Sequence, residues 1–357
     1  MNLIRKCFVM FVALAILALC PALPDPAGAE DRDGGIDVVK EWYCYVDGRI
    51  ALNTSFDPEP LYFTDPELDD YKPVPSPDGS QIAFFRVIDY GDGQDITWKT
   101  KICVMNADGT NLRELTAGEY MNTNPMWTRD GSNKIMWTRM EGKTTALKWL
   151  VGTAVPLGMN IYWTSPDATP GDEERISGTG MKHYMDFVYS GLEDGRLLVR
   201  RDIVNQYFLM TPAPYNNGEA KYEPISYPYK RTLLHKMTIS PDETKIGYMK
   251  VSNAGPTTIG TGAAYSKSVL AIADFDPVNL VISNEKEITE YNEKNNNWYI
   301  SFSPNVDKLI YACAGDCPEG KSKGQIFQYD LETGIKTKIS GNDNLEYRYP
   351  AIKGVVK

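Results

Sequence analysis

Pro73-Val74-Pro75-Ser76-Pro77-Asp78-Gly79-Ser80-Gln81-Ile82-Ala83-Phe84-Phe85 opens the stretch whose reading decides the fold. After a polar loop it continues as Ile102-Cys103-Val104-Met105-Asn106-Ala107-Asp108-Gly109-Thr110 and ends in Leu112-Arg113-Glu114-Leu115-Thr116. Short apolar runs alternate with Pro-Asp-Gly and Asp-Gly turns. Proline presets φ, aspartate bonds the neighbouring backbone, and glycine accepts positive φ without a Cβ clash, so the pattern predicts strands joined by tight hairpin turns.

The unit recurs in worn form along the chain. Pro125-Met126-Trp127-Thr128-Arg129-Asp130-Gly131 leads into Lys134-Ile135-Met136-Trp137, with a later strand at Asn160-Ile161-Tyr162-Trp163 and a terminus at Arg175-Ile176-Ser177. A third copy runs from Phe187 through Asp194-Gly195 to Met210, and a fourth from Met237 through Ser240-Pro241-Asp242 to Ile272. The fifth begins at Tyr299-Ile300-Ser301-Phe302-Ser303-Pro304 and reaches Asp330. The Ser or Thr marking each copy stands at 76, 128, 190, 240 and 303, a spacing that fits four-stranded blades with variable loops. Before the first copy, Trp42–Val46, Ile50–Leu52 and Leu61–Phe63 read as three strands lacking a first. A sixth copy starts at Tyr349-Pro350-Ala351-Ile352, just before the last residue, Lys357. The expectation is an all-β chain forming a single β-propeller of four-stranded blades, six in number, or seven if a long insertion hides one. The N- and C-terminal strands share one blade, which closes the ring and hides the sheet edges. An open β-sandwich is the competing fold, but it needs no such repeat.

Residues 1–29 read as a signal peptide and 30–357 as the propeller domain. Arg5 and Lys6 precede the apolar run Phe8–Leu19, and Ala27-Gly28-Ala29 supplies a small-x-small cleavage site before Glu30. A retained membrane anchor is the alternative, though the run is short for a span, and Leu19 stands where lipidation at Cys20 would want a small residue. The chain carries a formal net charge of −10, and removal of the leader takes away two basic residues and Asp25. That balance speaks against nucleic acid and anionic membranes, whose binding needs basic clusters. No later segment is apolar enough to insert in a membrane after cleavage. Localisation is therefore expected outside the cytoplasm, in the periplasm or an equivalent compartment.

Sequence signals for chemistry are few. His183 and His235 fall on different predicted blades, and no Gly-x-Ser-x-Gly elbow or metal-ligand spacing occurs, so no catalytic, cofactor or metal residue is assigned. Asp89, Asp92 and Asp95 could offer oxygen ligands to calcium, but a solvated turn explains them as well. Asp65, Glu67, Asp69 and Asp70 read as a hydrated blade edge. Asp78, Asp130 and Asp242 recur at matching positions and read as turn caps, since one active site needs no copy in each blade. Of the cysteines left after cleavage, Cys313 and Cys317 could close a small disulfide loop; free buried thiols are the alternative and the better description of Cys103. No Cys-x-x-Cys-His occurs, so covalent haem is not expected on this chain. Aromatic residues make up 11% of the chain, enough to pack the blades and leave some for a rim. Two long departures from the repeat, Thr144–Met159 and Val251–Tyr265, carry Trp149, Leu150, Val155, Leu157, Pro256, Thr258, Ile259 and Tyr265. These are candidate partner contacts, unless the segments fold back over the propeller's own face.

The units Ser76-Pro77-Asp78-Gly79 and Met105-Asn106-Ala107-Asp108-Gly109, with Leu115-Thr116, resemble the repeat of the TolB-type, WD-like β-propellers. The run between the expected cleavage point and Ser76 leaves no space for the further N-terminal domain that TolB carries. In leader, single propeller and lack of a haem motif, the layout resembles the β subunit of bacterial hydrazine synthase. That resemblance implies a non-catalytic scaffold subunit beside haem-bearing chains. In that enzyme hydrazine forms from nitric oxide and ammonium during anaerobic ammonium oxidation, with haem c on multihaem cytochrome partners and the anammoxosome as compartment. Two alternatives stand beside it: a secreted carbohydrate-active lyase or hydrolase working in the central funnel, and a TolB-like periplasmic protein-binding module. The oligogalacturonate lyases also use a propeller, but their histidine-rich metal site has no match in a chain with two histidines.

Overall fold

The computed structural model describes residues 37–91, 98–141, 158–178, 186–201, 206–227, 233–251, 268–289, 295–315 and 324–353. They form six four-stranded antiparallel sheets arranged as the blades of a β-propeller, with one short 3₁₀ turn at Ala213–Tyr215.

The first blade holds β1 (Glu41–Val46), β2 (Arg49–Thr54) and β3 (Leu61–Tyr62). The second runs β4 (Asp69–Pro75), β5 (Gln81–Asp89), β6 (Lys99–Asn106) and β7 (Arg113–Glu114). The third is β8 (Met121–Trp127), β9 (Ile135–Met140), β10 (Met159–Thr164) and β11 (Glu174–Arg175). The fourth is β12 (Asp186–Gly191), β13 (Leu197–Arg201), β14 (Gln206–Thr211) and β15 (Lys221–Pro224). In the fifth, β16 (Leu233–Ile239) leads to β17 (Lys245–Val251), β18 (Ser268–Asp276) and β19 (Val281–Glu287). The sixth is β20 (Asn295–Phe302), β21 (Lys308–Gly315), β22 (Gln325–Asp330) and β23 (Lys336–Lys338). Finally β24 (Tyr347–Ile352) returns to the first blade and pairs with β1, with Trp42 opposite Ile352 and Val46 opposite Tyr347. The composite blade expected from the termini is present, and the count is six.

The repeated motifs have identifiable physical roles. Ser76, Thr128, Ser240 and Ser303 each accept the backbone N–H that opens the second strand, from Gln81, Lys134, Lys245 and Lys308. The aspartates cap the same turns: Asp78 accepts from Ser80 N, Asp130 from Ser132 N and Asp242 from Thr244 N, at 3.0–3.1 Å. Against the opposing effect of burial at Asp130 and Asp242, hydrogen bonds from neighbouring hydroxyls, joined by these backbone N–H groups, hold all three carboxyls below the usual carboxylate range. At the blade exits, Thr64, Thr116, Ser177, Thr289 and Ser340 accept the backbone N–H of Ile50, Ile102, Ile161, Leu270 and Ile326 on the third strand. A short outer strand is thereby tied down by its hydroxyl, since two residues of ladder alone would hold it weakly.

The core is divided into six apolar clusters, one between each pair of neighbouring blades. Trp42 and Ile310 meet between the sixth and first blades, and Tyr43 and Phe84 between the first and second. Trp42, Trp137 and Trp163 are almost fully buried, so blade packing accounts for them. Because each blade buries both faces against a neighbour, closing the ring completes the core as well as the hydrogen-bond ladder.

One expectation is corrected here. The acidic run is not simply a hydrated edge, because Asp69 and Asp70 begin β4, the innermost strand of the second blade. Asp70 is fully buried and accepts two bonds from Arg86, at 2.7 and 2.9 Å. The same arrangement recurs at Asp186–Arg201 in the fourth blade, while in the third Arg139 donates to Asn122. Cross-strand pairing thus neutralises an acidic residue where sequence pattern suggests solvent.

Candidate functional site

The innermost strands β4, β8, β12, β16, β20 and β24 face the propeller axis, and each departs from regular pairing. The register slips between Tyr71 and Val74, Thr123 and Met126, Val188 and Ser190, His235 and Thr238, and Trp298 and Ile300. In β24 the slip falls between Arg348 and Ala351. A bulge of this kind bends the strand and re-aims a side chain. Five non-glycine residues at these bulges adopt left-handed backbone: Lys72 (φ 55°), Asn124 (56°), Lys236 (54°), Tyr299 (51°) and Tyr349 (54°). Side chains other than glycine pay about 1–3 kcal/mol for that region, so five repetitions around one axis form an organised feature.

Around the ring the bulge residues read Tyr349, Lys72, Asn124, Tyr189, Lys236 and Tyr299, from the first blade to the sixth. All but Asn124 line an axial cavity of about 220 Å³. Lys72 and Lys236 come from opposite blades, the second and the fifth. Lys72 is 8% exposed and donates to Asn124 Oδ1 at 3.0 Å. The Lys236 ammonium lies 4.9 Å from the centroid of the Tyr299 ring, and the Tyr299 and Tyr349 rings are 4.2 Å apart. Burial, reinforced by the like charge of Lys236, pushes the Lys72 ammonium well below the ordinary lysine range. Burial raises the Tyr349 phenol well above its usual value, with Tyr299 adding to the effect.

Among the described residues lining this cavity there is no carboxylate, although the protein as a whole is acidic. Toward the turn end of the cavity, Arg129 reaches from the third blade to the fifth, where it donates to the Ser240 and Pro241 carbonyls. Prolines 73, 75, 77, 241, 304 and 350 supply much of the apolar wall. The arrangement offers cationic and hydroxyl donors around one cavity with no carboxylate among its described lining residues, which favours binding an anion.

Comparison with known proteins gives a fold and no more. No family model matches the chain, and no curated protein matches it. Among solved structures, TolB from Acinetobacter baumannii aligns over 87% of this chain and 65% of its own, at 16% identity and a TM-score of 0.56. The chain has the β-propeller fold seen in TolB. Kuenenia stuttgartiensis hydrazine synthase aligns with the propeller over 90% of this chain and 48% of that one, at 13% identity and a TM-score of 0.59. The propeller therefore spans less than two thirds of the first structure's length and about half of the second's.

Trp149, Leu150, Val155, Leu157, Pro256, Thr258, Ile259 and Tyr265 lie outside the described residues, as do His183, Asp92 and Asp95. His235 stands in β16 opposite Met249. Asp89 accepts from Gly91 N and pairs with Lys99, and no cluster able to hold a metal ion occurs among the described residues. Cys44 and Cys103 are free and buried; Cys313 is disulfide-bonded, and Cys317 lies outside the described residues. No helix among the described residues is long and apolar enough to cross a membrane. The axial lysines are absent from the sequence-based candidates. Their available signal is the dipeptide series Lys72-Pro73, Asn124-Pro125 and Tyr349-Pro350, since proline, lacking an N–H, marks a break in the ladder.

Proposed function

We propose that this propeller is a non-catalytic binding subunit of an exported multi-subunit assembly. The observation that carries this reading is the inequality of the two ends of the blades. At one end, first and second strands are joined by short turns of the Asp78, Asp130 and Asp242 kind. At the other, the connection between second and third strands varies widely. Only Asp47-Gly48 separates β1 from β2, whereas β9 ends at Met140 and β10 begins at Met159, and β17 ends at Val251 and β18 begins at Ser268. The two longest connections within a blade lie at this same end, which suits recognition by variable connections. On that same end of the second blade, Ile88, Tyr90 and Trp98 are exposed, with the Tyr90 and Trp98 rings 5.1 Å apart. Exposed aromatic residues of this kind favour protein contacts.

In its finer form the proposal follows the hydrazine synthase resemblance. The chain is exported after cleavage before Glu30, the Cys313–Cys317 bridge forms there, and multihaem partners in the same compartment carry haem c and the redox chemistry. Native purification tests this form. Co-elution with haem-absorbing chains supports it; a lone species, or co-elution with Tol envelope proteins alone, refutes it. Shortening 144–159 and 251–265 to Gly-Ser linkers tests the binding surface. Partner co-elution should fall while the melting temperature stays within about 2 °C. Unchanged co-elution of the doubly shortened chain would place the contacts elsewhere.

A further inference from the structure

We infer that the axial cavity is a binding site for a small, doubly charged oxyanion, held between Lys72 and Lys236 from opposite blades. The inference is independent of the partner-binding role, since it concerns the axis and not the loop end.

Three observations converge on it. First, Lys72 is more than nine-tenths buried and lines the cavity, and among the described residues its hydrogen-bond partner is the neutral Asn124 amide oxygen. Buried lysine is ordinarily paired with a carboxylate, and elsewhere in this molecule that rule is kept. Lys250 is held by Glu285 and Glu287 at 2.6 and 2.5 Å, and Lys308 by Asp307 at 2.6 Å. The axial pair breaks the pattern at the one place where six blades converge.

Second, Lys236 faces the Tyr299 ring, and among the described residues it too meets no carboxylate. Two ammonium groups on opposing walls repel one another across a medium of low polarity. Depression of the Lys72 proton affinity is the expected signature of a cation without a counter-ion. An anion seated between them removes the repulsion and supplies the missing acceptors for both.

Third, Lys72 and Lys236 occupy equivalent left-handed bulges, φ 55° and 54°, on opposite blades, and both line the axial cavity. Tyr299 and Tyr349, at equivalent bulges, line the same cavity with aromatic faces and phenol hydroxyls. A cavity of about 220 Å³ is large enough for an ion the size of phosphate or a four-carbon dicarboxylate. Two facing cations favour a dianion over a monoanion, because each added charge meets its own partner.

The test uses the full mature chain with inorganic phosphate and succinate as separate probes, read by thermal shift and isothermal calorimetry at constant ionic strength. Saturable binding of either probe is expected, and the tighter one identifies the preferred oxyanion. Lys236→Met should weaken it at least about tenfold, and Lys72→Met with Lys236→Met should abolish it. Lys221→Met, which removes an exposed cation outside the cavity that pairs with Glu223, should keep affinity within about threefold. Circular dichroism confirms that the variants fold. No saturable binding of either probe to the wild-type chain overturns the inference, as does binding that survives the double substitution in a folded protein.

Discussion

Substituting Asp70 by alanine tests how the inner blades are held. Asp70 is fully buried and makes a two-pronged contact with Arg86, whose side chain is itself 8% exposed. Removing the carboxylate strands a guanidinium beneath the sheet, and the other acidic group near it, Glu114, lies 3.9 Å away and is partly solvated. Breaking one side of a buried pair costs about 3–5 kcal/mol, most of it the desolvation of the orphaned charge. With about 2.1 cal/mol/K of unfolding entropy per residue, the Val38–Lys357 unit loses about 1.5 °C for each kcal/mol. Asp70→Ala should therefore lower Tm by about 5–7 °C in differential scanning calorimetry. The paired replacement Asp70→Leu with Arg86→Met should recover most of that loss, because it removes both charges and keeps the volume. A drop below about 2 °C for the single substitution, or a double variant as unstable as the single, would refute the argument.

Further outcomes follow from other parts of the ring. Asp78, Asp130 and Asp242 have lowered pKa values, so their contribution is present above the unfolded value of about 3.9 and is lost as pH falls through the folded values. Urea denaturation from pH 5 to pH 3 should show stability falling, with a shallower fall in Asp78→Asn with Asp242→Asn, which should cost about 1 kcal/mol per site at pH 7. Lys72, facing Lys236, Tyr299 and Tyr349, has a folded pKa below its unfolded value. The unfolded chain then binds more protons between the two, so stability rises with pH across that window, and Lys72→Met should raise Tm by about 2 °C or more at pH 7 and flatten the rise. Truncation after Leu345 removes β24 and exposes the β1 edge; static light scattering should show aggregation where the full chain is dispersed. Cys44 and Cys103, buried and with pKa values pushed up by burial, should resist iodoacetamide until urea unfolds the chain, as read by intact mass.

Much of this molecule is legible in its sequence because the propeller repeats local chemistry. The Ser-Pro-Asp-Gly turns, the apolar second and third strands and the terminal Leu-Thr are short-range signals, and each is satisfied within its own blade. Even ring closure is visible, since the strand at Tyr349–Ile352 lacks a blade and Trp42–Val46 lacks a first strand. What the sequence does not reveal is the inner strand of the second blade. Its residues alternate charged, polar and aromatic types, so Asp69-Asp70-Tyr71-Lys72 carries no strand periodicity. Its meaning depends on partners contributed by distant segments: Arg86 across the sheet, Asn124 from the next blade and Lys236 from the opposite one. Local sequence determined the blades, because hairpin and turn energetics are local. Only the closed ring decided the axis, because two lysines 164 positions apart acquire a common environment when six blades converge.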